Sequence, residues 1–291
     1  MRMNYVWFTP IVCCRRKRGV IEEATIKSEV KQSPGCIGYN NLASSIDRDT
    51  LEFPHMAILG YGIKDSIEWR CTGALISEKH VLTSATCANT ELGQIQYVNL
   101  GEPKSVQTFM VKTIHFHPER SIYSYYHDIA LIELDGNVNL NGPIKPACLQ
   151  TQKSLPEGHP KVSNWKLFNY TNKWLDTIEM IYVPFEDCKD AHKPIEMIYV
   201  PFEDCKDAHK PQAYLEGGVR DDWQICAVGK NRGADTCKSQ SGAPLQIKLN
   251  DQSPYIIVGV ASFLRGCISE PGIYTRVSYY VSWIQNITRQ N

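Results

Sequence analysis

A succession of short apolar runs, broken by turn residues, dominates the sequence from residue 53 onward. Each run holds at most nine apolar or β-branched residues, and Gly, Pro, Asn or Asp separates most of them. Runs of this length are typical of β-strands and are too short for core helices. They are Phe53–Tyr61, Cys71–Ser77, His80–Ser84, Met110–Phe116, Ile129–Leu134, Tyr255–Phe263 and Ile273–Val277. The pattern predicts an all-β body.

The end of the chain departs from this pattern. The residues Val277, Tyr280, Val281 and Ile284 recur at helical spacing, and Ser278 is a candidate N-cap, so we expect a C-terminal helix.

The length and charge of the chain limit the classes of protein it can belong to. A length of 291 residues suits one or two domains. Lys and Arg together number 31, and so do Asp and Glu, so the chain has no net positive charge that would attract nucleic acid. No apolar run approaches the roughly 18 residues of a membrane span.

Cysteine usage indicates an oxidising compartment. Eleven cysteines are spread along the chain, without a C-x-x-C pair or a Cys/His cluster at zinc spacing. Scattered cysteines also occur as small buried apolar residues, but this number favours a secreted, disulfide-bonded protein. Glycosylation sequons at Asn169 and Asn286 agree with secretion. We therefore expect an extracellular glycoprotein without a metal or another cofactor.

A perfect duplication interrupts the second half of the chain. Residues 178–194 and 195–211 both read I-E-M-I-Y-V-P-F-E-D-C-K-D-A-H-K-P. Stacked repeat architectures need at least three units, so two copies do not indicate a solenoid. A recent duplication or a gene-model artefact explains the identity. It also explains the odd number of cysteines, because Cys188 and Cys205 are copies of each other.

The first 50 residues differ from the rest. Residues 15–50 are polar and without a clear period, which is typical of a linker. The apolar stretch Tyr5–Cys14 is short and is followed by basic residues, the reverse of the order in a signal peptide. A signal peptide is therefore not evident, and we expect the N-terminus to be incomplete. We divide the chain into a linker, residues 1–50, and a folded domain, residues 51–291.

Four segments resemble, in order and spacing, the signature motifs of the chymotrypsin-like (trypsin-family) serine peptidases. They read C-T-G-A-L-I at 71–76, H-V-L-T-S-A-T-C at 80–87, D-I-A-L-I-E-L at 128–134 and D-T-C-K-S-Q-S-G-A-P-L at 235–245. The family motifs read C-x-G-x-L-I, W-V-L-T-A-A-H-C, D-I-A-L-L-x-L and D-S-C-x-G-D-S-G-G-P-L. The resemblance implies two six-stranded antiparallel β-barrels followed by a C-terminal α-helix.

The resemblance assigns a catalytic triad that lacks its base. Ser241 matches the nucleophile and Asp128 matches the residue that orients the base, but the position of the base holds Thr86. A threonine hydroxyl does not accept a proton near neutral pH, whereas imidazole does. The nearby histidines are interpreted as surface or packing residues rather than as substitute bases; they are His80, His115, His117 and His127. The resemblance thus implies a loss of catalysis.

Other parts of the implied active site are altered as well. Ser239 replaces the oxyanion-hole glycine, where the N–H groups of Ser239 and Ser241 would bind the oxyanion. Gln240 replaces the aspartate that pairs with the new amino terminus after activation. The implied specificity pocket consists of Asp235, Ser262, Leu264 and Gly272. Because Leu264 has a side chain where the family has glycine, we expect the pocket to be filled.

The resemblance also implies a set of disulfides. They are Cys71–Cys87, Cys237–Cys267, Cys36–Cys148, and Cys226 with either Cys188 or Cys205. The adjacent pair Cys13-Cys14 resembles the end of an arthropod clip domain, which would make residues 1–50 the remnant of such a domain.

Taken together, the motifs resemble an arthropod clip-domain serine protease homologue that has lost its catalytic histidine. The resemblance implies a secreted, non-catalytic regulator or cofactor of the proteolytic cascades of insect melanisation and innate immunity. Its partners would be clip-domain proteases or their zymogen substrates. Two alternatives stay open: an active trypsin-like endopeptidase with an atypical base, and a binding module that reuses the scaffold. The loop before Asp128 contains Tyr123, Tyr125 and Tyr126, which predict either a partner-binding surface or a loop whose rings pack on the barrel.

Overall fold

The computed structural model describes residues 52–101, 106–162, 197–229, 241–250, 253–264 and 271–289. It also describes the backbone alone of residues 11–12, 181–182 and 195–196. The strands in chain order are β1 Ile11–Val12, β2 Met56–Tyr61, β3 Glu68–Leu75, β4 His80–Thr83, β5 Asn89–Thr90, β6 Gly93–Gln94, β7 Tyr97–Leu100, β8 Gln107–Phe116, β9 Ala130–Leu134, β10 Cys148–Leu149, β11 Lys161–Val162, β12 Ile181–Tyr182, β13 Ile195–Val200, β14 Gln224–Gly229, β15 Pro244–Ile247, β16 Ile256–Phe263 and β17 Gly272–Arg276. The helices are α1 Ala85–Ala88, α2 Phe202–Ala208 and α3 Val277–Thr288.

The first half of the folded region is a closed barrel. Its strands follow the order β2-β3-β4-β9-β8-β7, and every neighbouring pair is antiparallel. Alternation along β9 divides its side chains between two cores, because successive residues of a strand face opposite ways. Ala130, Ile132 and Leu134 fill the barrel, whereas Ile129 and Leu131 join a cluster with residues of the second half.

The second half forms a nearly closed second barrel. Its sheet runs β10-β16-β15-β11-β13-β14-β17, and an additional pairing joins β17 to β16. The short strand β10 lies parallel to β16, and the other pairs are antiparallel. With α3 at the end of the chain, the two barrels confirm the predicted all-β, chymotrypsin-like architecture.

The two halves share one apolar interface. It combines Leu82 and Leu131 of the first barrel with Ile257 of β16 and the buried face of α3, Val277, Tyr280 and Ile284. The helix thus uses the apolar stripe that the sequence predicts. The predicted cap is wrong: Arg276 is the N-cap, no side chain caps the helix, and Ser278 lies within its first turn.

His55 adds a buried polar contact between the two halves. It lies just before β2 with 1% of its surface exposed, and its Nε2 is hydrogen-bonded to the side-chain oxygen of Gln246 on β15. A charged imidazole would lose its hydration at this position. Burial lowers the pKa of His55 to about 4; the charge of Lys248 acts in the same direction and the Gln246 hydrogen bond opposes it.

We expect His55 to make folding sensitive to acid. Between the ordinary pKa of 6.5 and the folded pKa of about 4, the unfolded chain binds a proton that the folded chain does not. The stability that neutral His55 contributes is therefore complete above this window and falls by about 3 kcal/mol as the pH drops through it. Urea unfolding at pH 7 and pH 4 measures the loss, and a His55→Gln variant should lose less. Equal losses in both proteins would contradict the assignment.

Candidate active site

A single-turn helix, α1, positions Thr86. Ser84 caps the helix, and its side chain accepts a hydrogen bond of 3.2 Å from the backbone N–H of Cys87. A disulfide between Cys71 and Cys87 ties α1 to β3, which is the pairing that the family resemblance implies. Thr86 is held between these two anchors and is half-buried.

The carboxylate of Asp128 is buried and accepts three hydrogen bonds. The backbone N–H of Thr86 donates to Oδ1 at 2.7 Å, and the Thr86 hydroxyl donates to Oδ2 at 3.1 Å. The third bond comes from the Ser262 hydroxyl, which donates to Oδ2 at 2.6 Å. Because 1% of Asp128 is exposed, these donors supply the contacts that water would otherwise make.

Burial dominates the electrostatics of Asp128. Removal from water raises the pKa of this carboxyl, while the hydrogen bonds from Ser262 and Thr86 and the positive charge of Arg120 oppose the rise. Arg120 lies nearby because its guanidinium donates to the carbonyl oxygen of Ala85, next to Thr86. The site is therefore a desolvated carboxylate held by neutral donors.

The histidines of the first half lie in other contacts. Among the described residues, none donates a hydrogen bond to the Asp128 carboxylate. His80 pairs with the Ser77 hydroxyl at 2.8 Å, and His115 lies 3.7 Å from the carboxylate of Glu133. His117 and His127 stack on each other with ring centroids 5.0 Å apart. These positions agree with the interpretation of the four residues as packing or surface histidines.

Ser241 lies beside both α1 and β16. Its carbonyl oxygen is 2.9 Å from the sulfur of Cys87, the residue after Thr86. The next residue, Gly242, donates its backbone N–H to the carbonyl of Ala261 at 2.8 Å. Gly242 has a φ of +82°, and a Cβ there would collide with the Thr72 carbonyl and the Thr83 hydroxyl. The turn that carries Ser241 thus requires glycine at this point.

A leucine occupies the position implied for the specificity pocket. The Cδ2 atom of Leu264 lies 2.5 Å from the point where a Cβ of Gly272 would be. Leu264 also packs against the buried cluster that contains Tyr274. The Leu264 side chain therefore occupies the space beside Gly272 that a glycine at position 264 would leave open.

Several predicted site residues lie outside the described residues. They are Asp235, Ser239, Cys36, Cys188, Cys237, Cys267 and Asn169. Cys226 forms a disulfide with Cys205, the cysteine of the second copy of the duplication. Cys148 is also disulfide-bonded. The sequon residue Asn286 is exposed near the end of α3.

The three tyrosines before Asp128 have different environments. Tyr123 is 75% exposed. Tyr125 packs against Phe263 with ring centroids 4.7 Å apart, and Tyr126 donates its hydroxyl to the Gly218 carbonyl at 2.7 Å. Tyr123 is therefore available at the surface, whereas Tyr125 and Tyr126 fasten the loop to the second barrel.

Two contributions to the site were not apparent from the sequence. The family resemblance places Ser262 in the specificity pocket, but its hydroxyl donates to the carboxylate of Asp128, 134 positions earlier in the chain. Arg120 stood in no motif. The match of S-F-L at 262–264 to the family's S-W-G is the one signal that could have identified Ser262.

The described part of the site lacks a group that can take a proton from Ser241. Thr86 lies at the base position, and its hydroxyl is shared between Asp128 and Ser84, whose Oγ is 3.1 Å away. A hydroxyl is a very weak base near neutral pH, so this arrangement can orient Thr86 but cannot activate a nucleophile.

Comparison with known proteins places the chain in a family. The Trypsin family model matches residues 45–284. The serine protease Hayan of Drosophila melanogaster is 34% identical over 252 residues, covering 81% of this chain and 37% of Hayan. The CLIP domain-containing serine protease C9 of Anopheles gambiae is 31% identical, covering 82% of this chain and 67% of that protein. The chain thus spans little more than a third of Hayan.

A solved structure agrees on the fold. Kallikrein-related peptidase 10, in complex with Zn²⁺, aligns with a TM-score of 0.59 at 23% identity, covering 82% of this chain and 97% of that one. In the part of the chain that the structure describes, no helix has the length and apolar character needed to cross a membrane. With two barrels, four family motifs and a family model over most of its length, the chain belongs to the trypsin family of chymotrypsin-like serine proteases, and insect clip-domain proteases are among its relatives.

Proposed function

We propose that this chain is a secreted, non-catalytic member of its family that regulates an extracellular proteolytic cascade of insect melanisation or innate immunity. The observation that carries the proposal is the hydrogen bonding of Asp128. Its two carboxylate oxygens accept from Thr86 and Ser262, at the position where the family's aspartate accepts from an imidazole. A protein with this site would bind other proteins and leave their peptide bonds intact.

The position of Leu264 supports the same proposal. A trypsin-like enzyme selects its substrate with an open cavity for one side chain. Leu264 lies against Gly272 here, so a substrate side chain would have to displace it. A regulator needs no such cavity, because a protease-like surface can present loops to a partner without cleaving it.

The choice of cascade rests on the family resemblance and on the relatives. Hayan is named as a serine protease, and the Anopheles relative is named as containing a CLIP domain. Proteins of extracellular cascades act on one another in series, so a non-cleaving member would act by holding a protease or its zymogen. The partner that we propose is therefore a clip-domain protease or its zymogen substrate.

A cascade assay tests this function. Insect plasma depleted of the endogenous protein should regain its normal rate of melanisation when the purified protein is added. A Ser241→Ala variant should restore the rate equally, because the proposed role uses no nucleophile. If Ser241→Ala fails while the wild-type protein succeeds, the protein acts as a protease. If neither changes the rate, a regulatory role in this cascade is excluded.

Tyr123 offers a probe of the partner surface. Its ring is exposed and lies next to Ile122, which is 64% exposed, so the two form a small apolar patch on the loop before Asp128. Aromatic residues contribute strongly to protein interfaces. We expect Tyr123→Ser to weaken capture of an immobilised clip-domain zymogen about tenfold, in line with a residue that contributes more than 1 kcal/mol. Surface plasmon resonance measures the affinity.

The control separates binding from stability. Met110 is also exposed, at 55%, but lies on β8, outside the loop before Asp128, so Met110→Ser removes an exposed apolar side chain elsewhere and should leave capture unchanged. The melting temperature of the Tyr123→Ser variant should match that of the wild type, since the Tyr123 ring is largely exposed. Unchanged capture by Tyr123→Ser would remove this loop from the interface.

A further inference from the structure

We propose that His117, Glu119 and His127 form a binding site for a divalent transition metal of the Zn²⁺ class. One ligand atom from each of the three side chains lies within 4.8 Å of the others. In particular, Nε2 of His127 is 3.7 Å from a carboxylate oxygen of Glu119. The site is separate from the hydrogen-bond network of Asp128, and it departs from the sequence expectation of no metal.

The spacing of the three groups suits zinc after a small adjustment. Zinc bonds to nitrogen and oxygen are about 2.0–2.2 Å long, so tetrahedral ligand atoms lie about 3.4 Å apart. The present atoms therefore need to approach by at most about 1.4 Å. Glu119 can supply this movement, because its side chain is 65% exposed and few atoms surround it. Water would complete the four ligands, as in other zinc sites with three protein groups.

His127 is held in an unusual orientation that suits metal binding. Its φ is 53°, in the left-handed region that residues other than glycine seldom adopt. Its Nδ1 lies 3.1 Å from the Tyr280 hydroxyl, and its ring stacks on Trp223 at 5.1 Å. When Nδ1–H donates to Tyr280, the lone pair of Nε2 is directed towards Glu119. A partner on the second ring nitrogen is the usual arrangement of a metal-binding histidine.

His117 and Glu119 are brought together by a turn. The backbone N–H of Arg120 donates to the His117 carbonyl at 3.0 Å, and the N–H of Glu119 donates to His117 Nδ1 at 3.3 Å. This second bond is long. Coordination through Nε2 would move the ring proton to Nδ1 and break this hydrogen bond, with no net release of a proton. The metal–nitrogen bond would replace this long hydrogen bond.

The charge state of the two rings favours a metal over a proton. Burial lowers the pKa of both His117 and His127; their mutual repulsion lowers that of His117 further, while Glu119 opposes the shift in both. Burial therefore disfavours a proton on either ring and favours the neutral form, which is the form that binds metals. Two imidazoles and one carboxylate suit zinc, whereas calcium and magnesium prefer oxygen ligands.

Calorimetric titration of the full chain, made without a histidine tag and stripped of metal by a chelator, tests the site. We expect saturable binding of one equivalent of Zn²⁺, and no comparable binding of Ca²⁺. A Glu119→Gln variant should fold normally, since Glu119 is exposed, and should bind Zn²⁺ at least tenfold more weakly. His117→Gln should bind more weakly still. Tyr280→Phe removes the hydrogen bond that orients His127 and should weaken binding by about 10–100-fold.

A matched control is His159→Gln, because His159 is exposed and lies outside the cluster. It should bind Zn²⁺ with unchanged affinity. Zn²⁺ should also raise the melting temperature of the wild type and of His159→Gln, because it binds the folded state, and should have little effect on Glu119→Gln. Absence of Zn²⁺ binding, or equal binding by the wild type, Glu119→Gln and His117→Gln, would overturn the assignment. These readouts do not depend on the proposed regulatory role.

Discussion

Purified protein, before and after limited treatment with trypsin, is expected to hydrolyse Arg- and Lys-ester substrates no faster than buffer. Thr86 occupies the position of the base, and its hydroxyl is engaged by Asp128 and cannot accept the proton of Ser241. In a serine protease the triad acts as a unit, and the loss of its base lowers kcat by about 10⁶. Initial rates with a chromogenic ester measure the activity. Turnover that Ser241→Ala abolishes would contradict the prediction.

Restoring the base by itself should recover little of this activity. In a Thr86→His variant the imidazole could accept the Ser241 proton, and Asp128 could orient it. Leu264 would still lie against Gly272, and Gln240 would still lack the charge that pairs with a new amino terminus. The double variant Thr86→His, Leu264→Gly is the informative comparison, since it corrects the base and the pocket together. We expect its rate to exceed that of either single variant.

An Asp128→Ala variant is expected to lose about 2–4 kcal/mol of its free energy of unfolding at pH 7. The change leaves the Thr86 backbone N–H and the Ser262 hydroxyl without their acceptor, and each buried, unpaired donor costs about 1–3 kcal/mol. The Thr86 hydroxyl keeps an alternative partner in Ser84, 3.1 Å away. Relief from burying the carboxylate offsets part of the loss. Urea unfolding measures the difference.

Asp128→Asn is the matched control for this prediction. Its Oδ1 can accept from the Thr86 N–H, and its amide group can donate to the hydroxyl oxygens of Thr86 and Ser262, so each of the three groups keeps a hydrogen bond to position 128 although the two hydroxyls change from donors to acceptors. We expect its stability at pH 7 to equal or exceed that of the wild type, because a buried carboxylate is replaced by a neutral amide of the same shape. An Asn variant as unstable as the Ala variant would show that the charge itself stabilises the fold.

The pH dependence of this pair has a defined sign. Burial raises the pKa of Asp128 in the folded state above its ordinary value of 3.8, so the folded chain holds the proton at a higher pH than the unfolded chain. Ionised Asp128 therefore reduces stability, and this cost develops as the pH rises from about 3.8 through the folded pKa. The advantage of Asp128→Asn over the wild type should widen with rising pH and disappear near pH 4. His55 acts in the opposite direction and is common to both proteins.

Local patterns were sufficient to predict much of the fold. The strands follow from the short apolar runs between turn residues. In β9 such a run is buried on both faces, because Ala130, Ile132 and Leu134 face one core while Leu131 and the preceding Ile129 face the other. The C-terminal helix follows from the stripe that contains Tyr280 and Ile284. The prediction of Ser278 as the cap is wrong because the helix begins directly after β17, with Arg276 as its N-cap and no side-chain cap.

Contacts between distant segments were beyond the sequence pattern. Ser262 donates to Asp128 across the boundary between the barrels, and no local period reports such a contact. Cys188 and Cys205 have identical local sequences, so the local sequence does not decide which of them pairs with Cys226. In the structure, the partner is Cys205, which lies on α2 directly after β13. The sequence places Tyr123, Tyr125 and Tyr126 on one loop, yet they do not share one environment: Tyr126 donates its hydroxyl to the Gly218 carbonyl and is held by the second barrel. In each case the deciding partner lies outside the local sequence pattern.

Covalent labelling of Ser241 tests the absence of catalysis most directly. A fluorophosphonate reacts with a serine hydroxyl that its surroundings have activated, and it needs no occupied specificity pocket, so it reports on the activation of Ser241 separately from substrate selection. Intact-mass spectrometry after incubation with the probe, alongside trypsin as a positive control and Ser241→Ala as a negative one, measures the fraction labelled. Our account predicts that wild-type protein stays unlabelled while trypsin is labelled to completion. Stoichiometric labelling that is lost in Ser241→Ala would contradict it, because it would show that another group activates Ser241.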